Sequence, residues 1–311
     1  MTDMTESMLL LDIPPFTLNP VSDVRAMLSL DFMRYAFLAG TMVAIVAGLV
    51  GYFIVLRNLV FATEALGHVT FTGALAAAVV GLDPLLGLFG VTTLVALGIG
   101  VLGTRVRTHD VVVGTVLAWV LGLGAMFLSI YTTQASGANS TFGVKYLFGS
   151  LFGLQAQEAQ QVALVGLGVV VVLLVIARPL LFASLDPDMA VTRGVPVRGL
   201  SFVFLILVAL SLAEAVPAVG SLLNSALIIT PAAIAQRLVP RPFVALLLSA
   251  VLAVTFTWGG LTIGFYTSSS VSFVISTLAF ITYVAVVAWQ RLRVSSSIVK
   301  IQANYASLIK S

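Results

Sequence analysis

The sequence predicts an all-α, polytopic integral membrane protein with about eight or nine transmembrane helices. Hydrophobic residues make up 60% of the 311-residue chain and charged residues only 9%, whereas a soluble domain carries about 25% charged residues. Mean hydropathy is +1.14. The apolar sequence falls into runs of about 20 residues, the length that crosses a bilayer core, and the cations gather in the short gaps between them. The net charge of +3 therefore reads as loops retained on the cytoplasmic side, not as a nucleic-acid footprint. Cysteine is absent, which excludes a disulfide framework and a thiolate metal site. The three lysines, Lys145, Lys300 and Lys310, lie outside any G-x-x-x-x-G-K-[ST] phosphate loop. Any ATP that drives this protein is hydrolysed by another subunit.

Residues 1–34 are expected to form a leader, mobile or interfacial, carrying Asp3, Glu6, Asp12 and Asp23, with a short helix near 23–30. It lacks the basic start and long apolar core of a secretory signal. A transmembrane domain follows over 35–290, and a cytoplasmic tail over 291–311. The first span is expected over 35–56, the second over 60–80, the third over 85–102 and the fourth over 111–130. Between the third and fourth, Arg105, Arg107 and His109 mark a cytoplasmic loop, with His109 solvated. Asp83 before Pro84 starts the third helix. Residues 146–154 are apolar but too short to span, which predicts an interfacial or re-entrant helix. A fifth span is expected over 162–176, then a polar cytoplasmic segment over 178–200. The sixth span, from Ser201, is interrupted around 214–220 by Pro217 and Gly220, and a seventh runs to about Ala235. This region is either two short spans or one span plus a broken re-entrant helix. Two last spans, 243–262 and 271–288, end at Arg291 and Arg293, which place the C-terminus inside.

Within the second span, Glu64 and His68 stand four residues apart. On a helix they share a face, about 6 Å apart along the axis. Ionisable groups in hydrocarbon are costly and mark substrate paths, proton paths or partners. Carboxylate and imidazole together suit Zn²⁺, while Mn²⁺ favours more oxygen. Two ligands make a weak site, which suits conduction because the ion must also leave. The plainer reading is a hydrogen-bonded pair that locks helices together.

Glu214, beside Pro217, is expected at the outer membrane edge in water, with a cation-attracting group at a pathway mouth as the alternative. Asn224 is expected to pack helices by hydrogen bonding, with a place on the pathway as the alternative. Thr230 and Pro231 sit inside a span, where proline removes a backbone hydrogen bond and introduces a kink, either for packing or as a gating hinge. Asp186 and Asp188 precede a short helical pattern over 189–192 (Met189, Ala190 and onward). Arg193 follows, Gly194 stops it, and Val195-Pro196 closes it. A short rigid helix in a cytoplasmic loop is suited to receiving motion from an ATPase.

Several separated blocks resemble the permease subunit of bacterial zinc/manganese ABC uptake transporters. They are Gly51-Tyr52-Phe53-Ile54-Val55-Leu56-Arg57, Glu64-Ala65-Leu66-Gly67-His68 with Gly73, Asp188-Met189-Ala190 with Gly194-Val195-Pro196-Val197, and Val219-Gly220 with the run from Ser225 to Ala233. Together they cover about residues 40–290 in the family's order. The chain departs from the pattern at Glu64, where the family has Asp, and at Gly67 and Val69, which replace the Ser and Ala flanking its His. It also has Thr72 in place of a common proline, and no glycine in the loop from Tyr266 to Ser270.

The resemblance implies an ABC importer permease fold in a bacterial cell membrane, with no bound cofactor, and Zn²⁺ or Mn²⁺ as cargo contacted by Glu64 and His68. It implies a coupling helix at Asp186 to Pro196. Its partners would be cytoplasmic ATP-binding cassette subunits, an extracytoplasmic metal-binding protein and a second permease copy, most simply in a homodimer within the lipid bilayer. The alternative is a proton-coupled secondary transporter with Glu64 and His68 as the relay. An intramembrane metalloprotease is disfavoured because E-x-x-x-H is not H-E-x-x-H. An importer of cobalamin or an iron chelate has no use for an acid–histidine pair.

Overall fold

The computed structural model describes residues 27–103, 109–134, 141–267 and 269–309. Most of the leader, the loop carrying Arg105 and Arg107, Ser268 and Lys310 lie outside the described residues. The helices are α1 (Asp31–Leu56), α2 (Val60–Val80), α3 (Pro84–Gly103), α4 (His109–Gln134), α5 (Thr141–Phe148), α6 (Ala156–Leu185), α7 (Pro187–Thr192), α8 (Val197–Val219), α9 (Ser221–Leu238), α10 (Pro242–Thr267) and α11 (Val271–Ile309). A single 3-10 turn, Leu151–Gly153, follows α5. Among the described residues, eight helices are long and apolar enough to cross a membrane: α1, α2, α3, α4, α6, α8, α10 and α11.

Burial separates the helices into a core and a lipid-facing shell. α1, α2 and α8 are mostly buried, whereas α3, α4, α6 and α11 turn most of their surface outward. Trp119, Leu164, Val175 and Phe280 are exposed on that shell, as expected when the solvent is hydrocarbon. α1 packs against α6, α8, α9 and α10, and α2 against α3, α4, α8 and α9. Small residues bring backbones together where lipid supplies no hydrophobic driving force. Ser249 of α10 donates a 2.7 Å hydrogen bond to the Gly48 carbonyl of α1, and a Cβ on Gly48 would meet the α10 backbone at Ala250.

The two ends of the bundle differ chemically. At one, Arg57 donates to Ser201 Oγ at 2.7 Å and lies over the Phe204 ring. Arg237 lies over Tyr283, and Gln290 donates to the Arg237 carbonyl at 2.8 Å. At the other, Ser272 shares its hydroxyl proton between the carbonyls of Phe148 (3.0 Å) and Val219 (2.9 Å). The positive-inside rule makes the arginine end cytoplasmic.

Pro217 does not interrupt α8. A proline in a helix interior removes one donor, and here it lies in the last turn, so the helix runs on to Val219. The break falls at Gly220, with φ +88°. α9 then runs alongside α11, from the Ser272 end to the arginine end. It is only 18 residues long and carries Ser221, Asn224, Ser225, Thr230 and Gln236, which explains why it falls short of the apolar spans. Its course still joins the two ends of the bundle.

Three other boundaries differ from the sequence expectation. α6 continues through Arg178 and Pro179 to Leu185, because Leu180 and Ala183 are buried against the bundle. The polar segment expected from residue 178 is thus helical in its first third. α5 enters the bundle, with Tyr146 packed among Phe71, Leu75 and Val216, so the short apolar piece is re-entrant. The tail continues α11 as helix to Ile309.

Candidate functional site

α2 begins after a tight turn at Asn58, whose φ of +55° is a left-handed conformation that asparagine tolerates. It ends at Gly81, φ +79°. There Leu82 N–H reaches the Ala77 carbonyl and Gly81 N–H the Ala78 carbonyl, the paired bonds of a glycine-stopped helix. The helix is clamped on two sides. Gly73 of α2 and Gly87 of α3 are in backbone contact, and Thr92 donates to Thr70 at 3.1 Å. On α4, Thr72 Oγ1 donates to the Val120 carbonyl at 3.2 Å.

The remaining face of α2 carries the pair. His68 Nε2 lies 3.6 Å from Glu64 Oε1, with side-chain exposures of 16% for His68 and 36% for Glu64. α9 flanks them, with Ser225 beside the Glu64 carboxylate. The glycine at 67 keeps α2 open toward the Ser221 carbonyl, which a Cβ there would approach at 3.9 Å. Both side chains are therefore held by rigid helices yet keep open surface, as a group that meets a passing ion requires. Ser225 was not singled out from the sequence, where it reads as one more small residue of a span.

Other expected site residues are dispersed. Glu214 is 1% exposed, and neither carboxylate oxygen has a hydrogen-bond partner, which overturns its expected place in water at the membrane edge. It faces Gly166 of α6, where a Cβ would stand 3.0 Å from Oε1. Asn224 is fully buried and donates to the Leu212 carbonyl of α8 at 3.4 Å. Pro231 is buried, and α9 continues through Thr230 and Pro231 as one helix.

The cytoplasmic loop folds as its end signals dictate. Asp186 caps α7, its carboxylate accepting from Met189 N–H at 3.0 Å, and Pro187 takes the first helical position. Val195 N–H bonds the Ala190 carbonyl and Gly194 N–H the Val191 carbonyl, with Gly194 at φ +80°. Arg193 lies over Phe182 of α6, and Ala190 is fully buried. Those contacts fix α7 against the bundle while Met189 and Val191, 52% and 62% exposed, and Asp188 project from it.

Residues 29–290 match the family described as ABC 3 transport family. The chain belongs to that family. It is a multi-pass membrane protein of all-α ABC permease architecture. Relatives in this family include the manganese transport system membrane protein MntC of Halalkalibacterium halodurans, 29% identical over 76% of this chain and 79% of that one. The manganese import system permease protein ScaB of Streptococcus parasanguinis is 28% identical over 75% of this chain and 82% of its own length. Among solved structures, PsaBC from Streptococcus pneumoniae in complex with Fab superposes with a TM-score of 0.75 at 25% identity, over 85% of this chain and 93% of that one.

Proposed function

We propose that this chain is the membrane-spanning permease subunit of an ATP-driven ABC importer for a divalent transition metal, zinc or manganese. The observation that carries the reading is the Glu64–His68 pair, 3.6 Å apart, half-open on a helix otherwise clamped from two sides. Membership of a transport family whose relatives are named for manganese import supports it. The pair supplies one hard oxygen and one borderline nitrogen. Among the described residues no group of three or more His, Cys, Asp or Glu could hold a metal ion. A further shell for the ion then comes from water, from Ser225 or from a second copy of this chain, whose α2 and α9 faces would line the same path in a homodimer. Such a site holds the ion weakly enough to pass it on.

The ion arrives from an extracytoplasmic metal-binding protein and leaves at the arginine end. ATP-binding cassette subunits dock there on α7, and closing of the cassettes moves α7 and, through the Arg193–Phe182 contact, α6. In this reading 35–290 is the permease domain, 1–34 a leader and 291–311 a cytoplasmic tail.

The test is the elemental content of metal-starved cells that carry the ATPase, the binding protein and either the intact chain or His68→Ala at equal membrane level. Zinc or manganese is expected to rise only with the intact chain. Equal accumulation would make His68 structural. Uptake that persists without the ATPase would favour a proton-coupled transporter instead.

A further inference from the structure

Away from the α2 pair, a cavity of about 180 Å³ opens between the outer halves of α3, α5, α6 and α8. Its polar lining is Asp83, Tyr146, Glu158, Gln161 and Glu214, with Pro217 closing one side. Three of these are carboxylates. The cation among their contacts is Lys145, which bonds Glu158 at 2.8 Å. Asp83 is exposed at the rim and receives the Leu85 N–H at 2.9 Å. Glu214 is the exceptional one: 1% exposed, with both oxygens unpartnered, on the cavity wall.

A buried carboxylate without hydrogen bonds is strongly disfavoured, and nothing in the protein's own packing offsets it. The space around Glu214 is instead preserved. Gly166 is the residue of α6 directly opposite, and any side chain there would press on both oxygens, at 3.0 and 3.2 Å from a Cβ. The cavity has room for several waters at about 30 Å³ each, and its net charge favours a cation. Its donors are all oxygen or amide, without imidazole or sulfur, which selects a hard ion. The described acids and histidines do not converge in threes around one point, so the ion keeps much of its water. Magnesium-class cations bind in that way, through one or two carboxylates and retained waters.

We infer that this outer cavity is a second cation site, distinct from the α2 pair, that takes a partly hydrated hard divalent cation of the magnesium class with Glu214 as its anchoring carboxylate. The ion bridges α8, just before the Gly220 break, to α3 and α6, and so steadies the outer end of the bundle. The inference stands independently of which metal the chain transports.

The test is thermal unfolding of the purified full chain in detergent, titrated with Mg²⁺ against Na⁺ at matched ionic strength. The unfolding temperature is expected to rise with Mg²⁺ but not with Na⁺, and the rise is expected to vanish in Glu214→Gln while persisting in His68→Ala. Should Glu214→Gln fail to fold, Asp83→Asn decides, because asparagine keeps the cap on α3; a response shifted to higher Mg²⁺ is expected. An unchanged response in the Glu214 variant, an unchanged response in Asp83→Asn where that variant decides, an equal response to Na⁺, or no response in the unsubstituted chain would each overturn the proposal.

Discussion

Gly51 of α1 lies in backbone contact with Ile228 of α9, so close that a Cβ on Gly51 would overlap the Ile228 carbonyl oxygen. This contact, together with the 2.8 Å hydrogen bond from Gln236 to the Tyr52 carbonyl, seats the polar helix α9 against the most buried part of α1. α9 in turn carries Ser225 to Glu64. The position of the candidate ion site therefore depends on a glycine of another helix, α1.

Gly51→Ala is expected to destabilise the protein by about 3 kcal/mol or more, since backbone on both sides must shift. Gly90→Ala on α3, where a Cβ meets nothing within 4 Å, is expected to be neutral or stabilising by up to about 1 kcal/mol. Thermal unfolding of the two variants in one detergent checks both.

At the α2 pair, Glu64→Gln and His68→Ala are expected to abolish metal accumulation with little change in membrane level, because both side chains are partly open and neither is a packing residue. Ser225→Ala removes only a group that orients the Glu64 carboxylate. It is expected to lower uptake about tenfold, the smaller end of what loss of such a supporting contact costs. Radiometal or elemental uptake at several concentrations separates the two. An uptake constant unmoved in Ser225→Ala would remove that residue from the site.

α7 offers a test of coupling without touching the ion path. Val191→Asp and Met189→Glu place charge on its exposed apolar surface and are expected to reduce co-purification with the ATPase subunit while leaving the unfolding temperature unchanged. Asp186→Ala loses the cap and is expected to cost about 1 kcal/mol locally, with the same loss of uptake. Retained ATPase association in Val191→Asp and Met189→Glu together would place the docking surface elsewhere.

Local signals made much of this legible in the sequence. Residues 60–80 are bounded as expected because an apolar run stops at Gly81, and α7 is marked by Asp186, Asp188 and Gly194, each acting on its nearest neighbours. What the sequence hid depends on partners distant along the chain. Glu214 next to Pro217 reads as a wet helix end; its burial depends on Gly166 of α6 leaving space opposite it. Residues 178–200 read as a polar loop, yet burial of Leu180 and Ala183 carries α6 through Pro179 to Leu185. Ser225 gains its significance only from the way α9 crosses α2.

Gly220 is the position where the fold leaves least freedom. Its φ of +88° with ψ 153° lies where side chains are strongly disfavoured, at a cost of about 1–3 kcal/mol. A Cβ there would also stand 2.5 Å from the Gly149 nitrogen, so backbone strain and steric overlap act together. Gly149, φ +74°, answers from the other side, packed on the Ala218–Gly220 backbone. Ser272 binds the same junction through the Phe148 and Val219 carbonyls. Gly220→Ala is therefore expected to separate α5 from the α8–α9 break and to lower the unfolding temperature more than Ser272→Ala, which leaves backbone geometry intact and removes one hydroxyl proton shared between two carbonyls, at about 1 kcal/mol. Uptake is expected to fail in Gly220→Ala even at a temperature where the protein remains folded, because the break sets where α9 starts and hence where Ser225 meets Glu64. Normal uptake in folded Gly220→Ala would show that the ion path does not depend on the break.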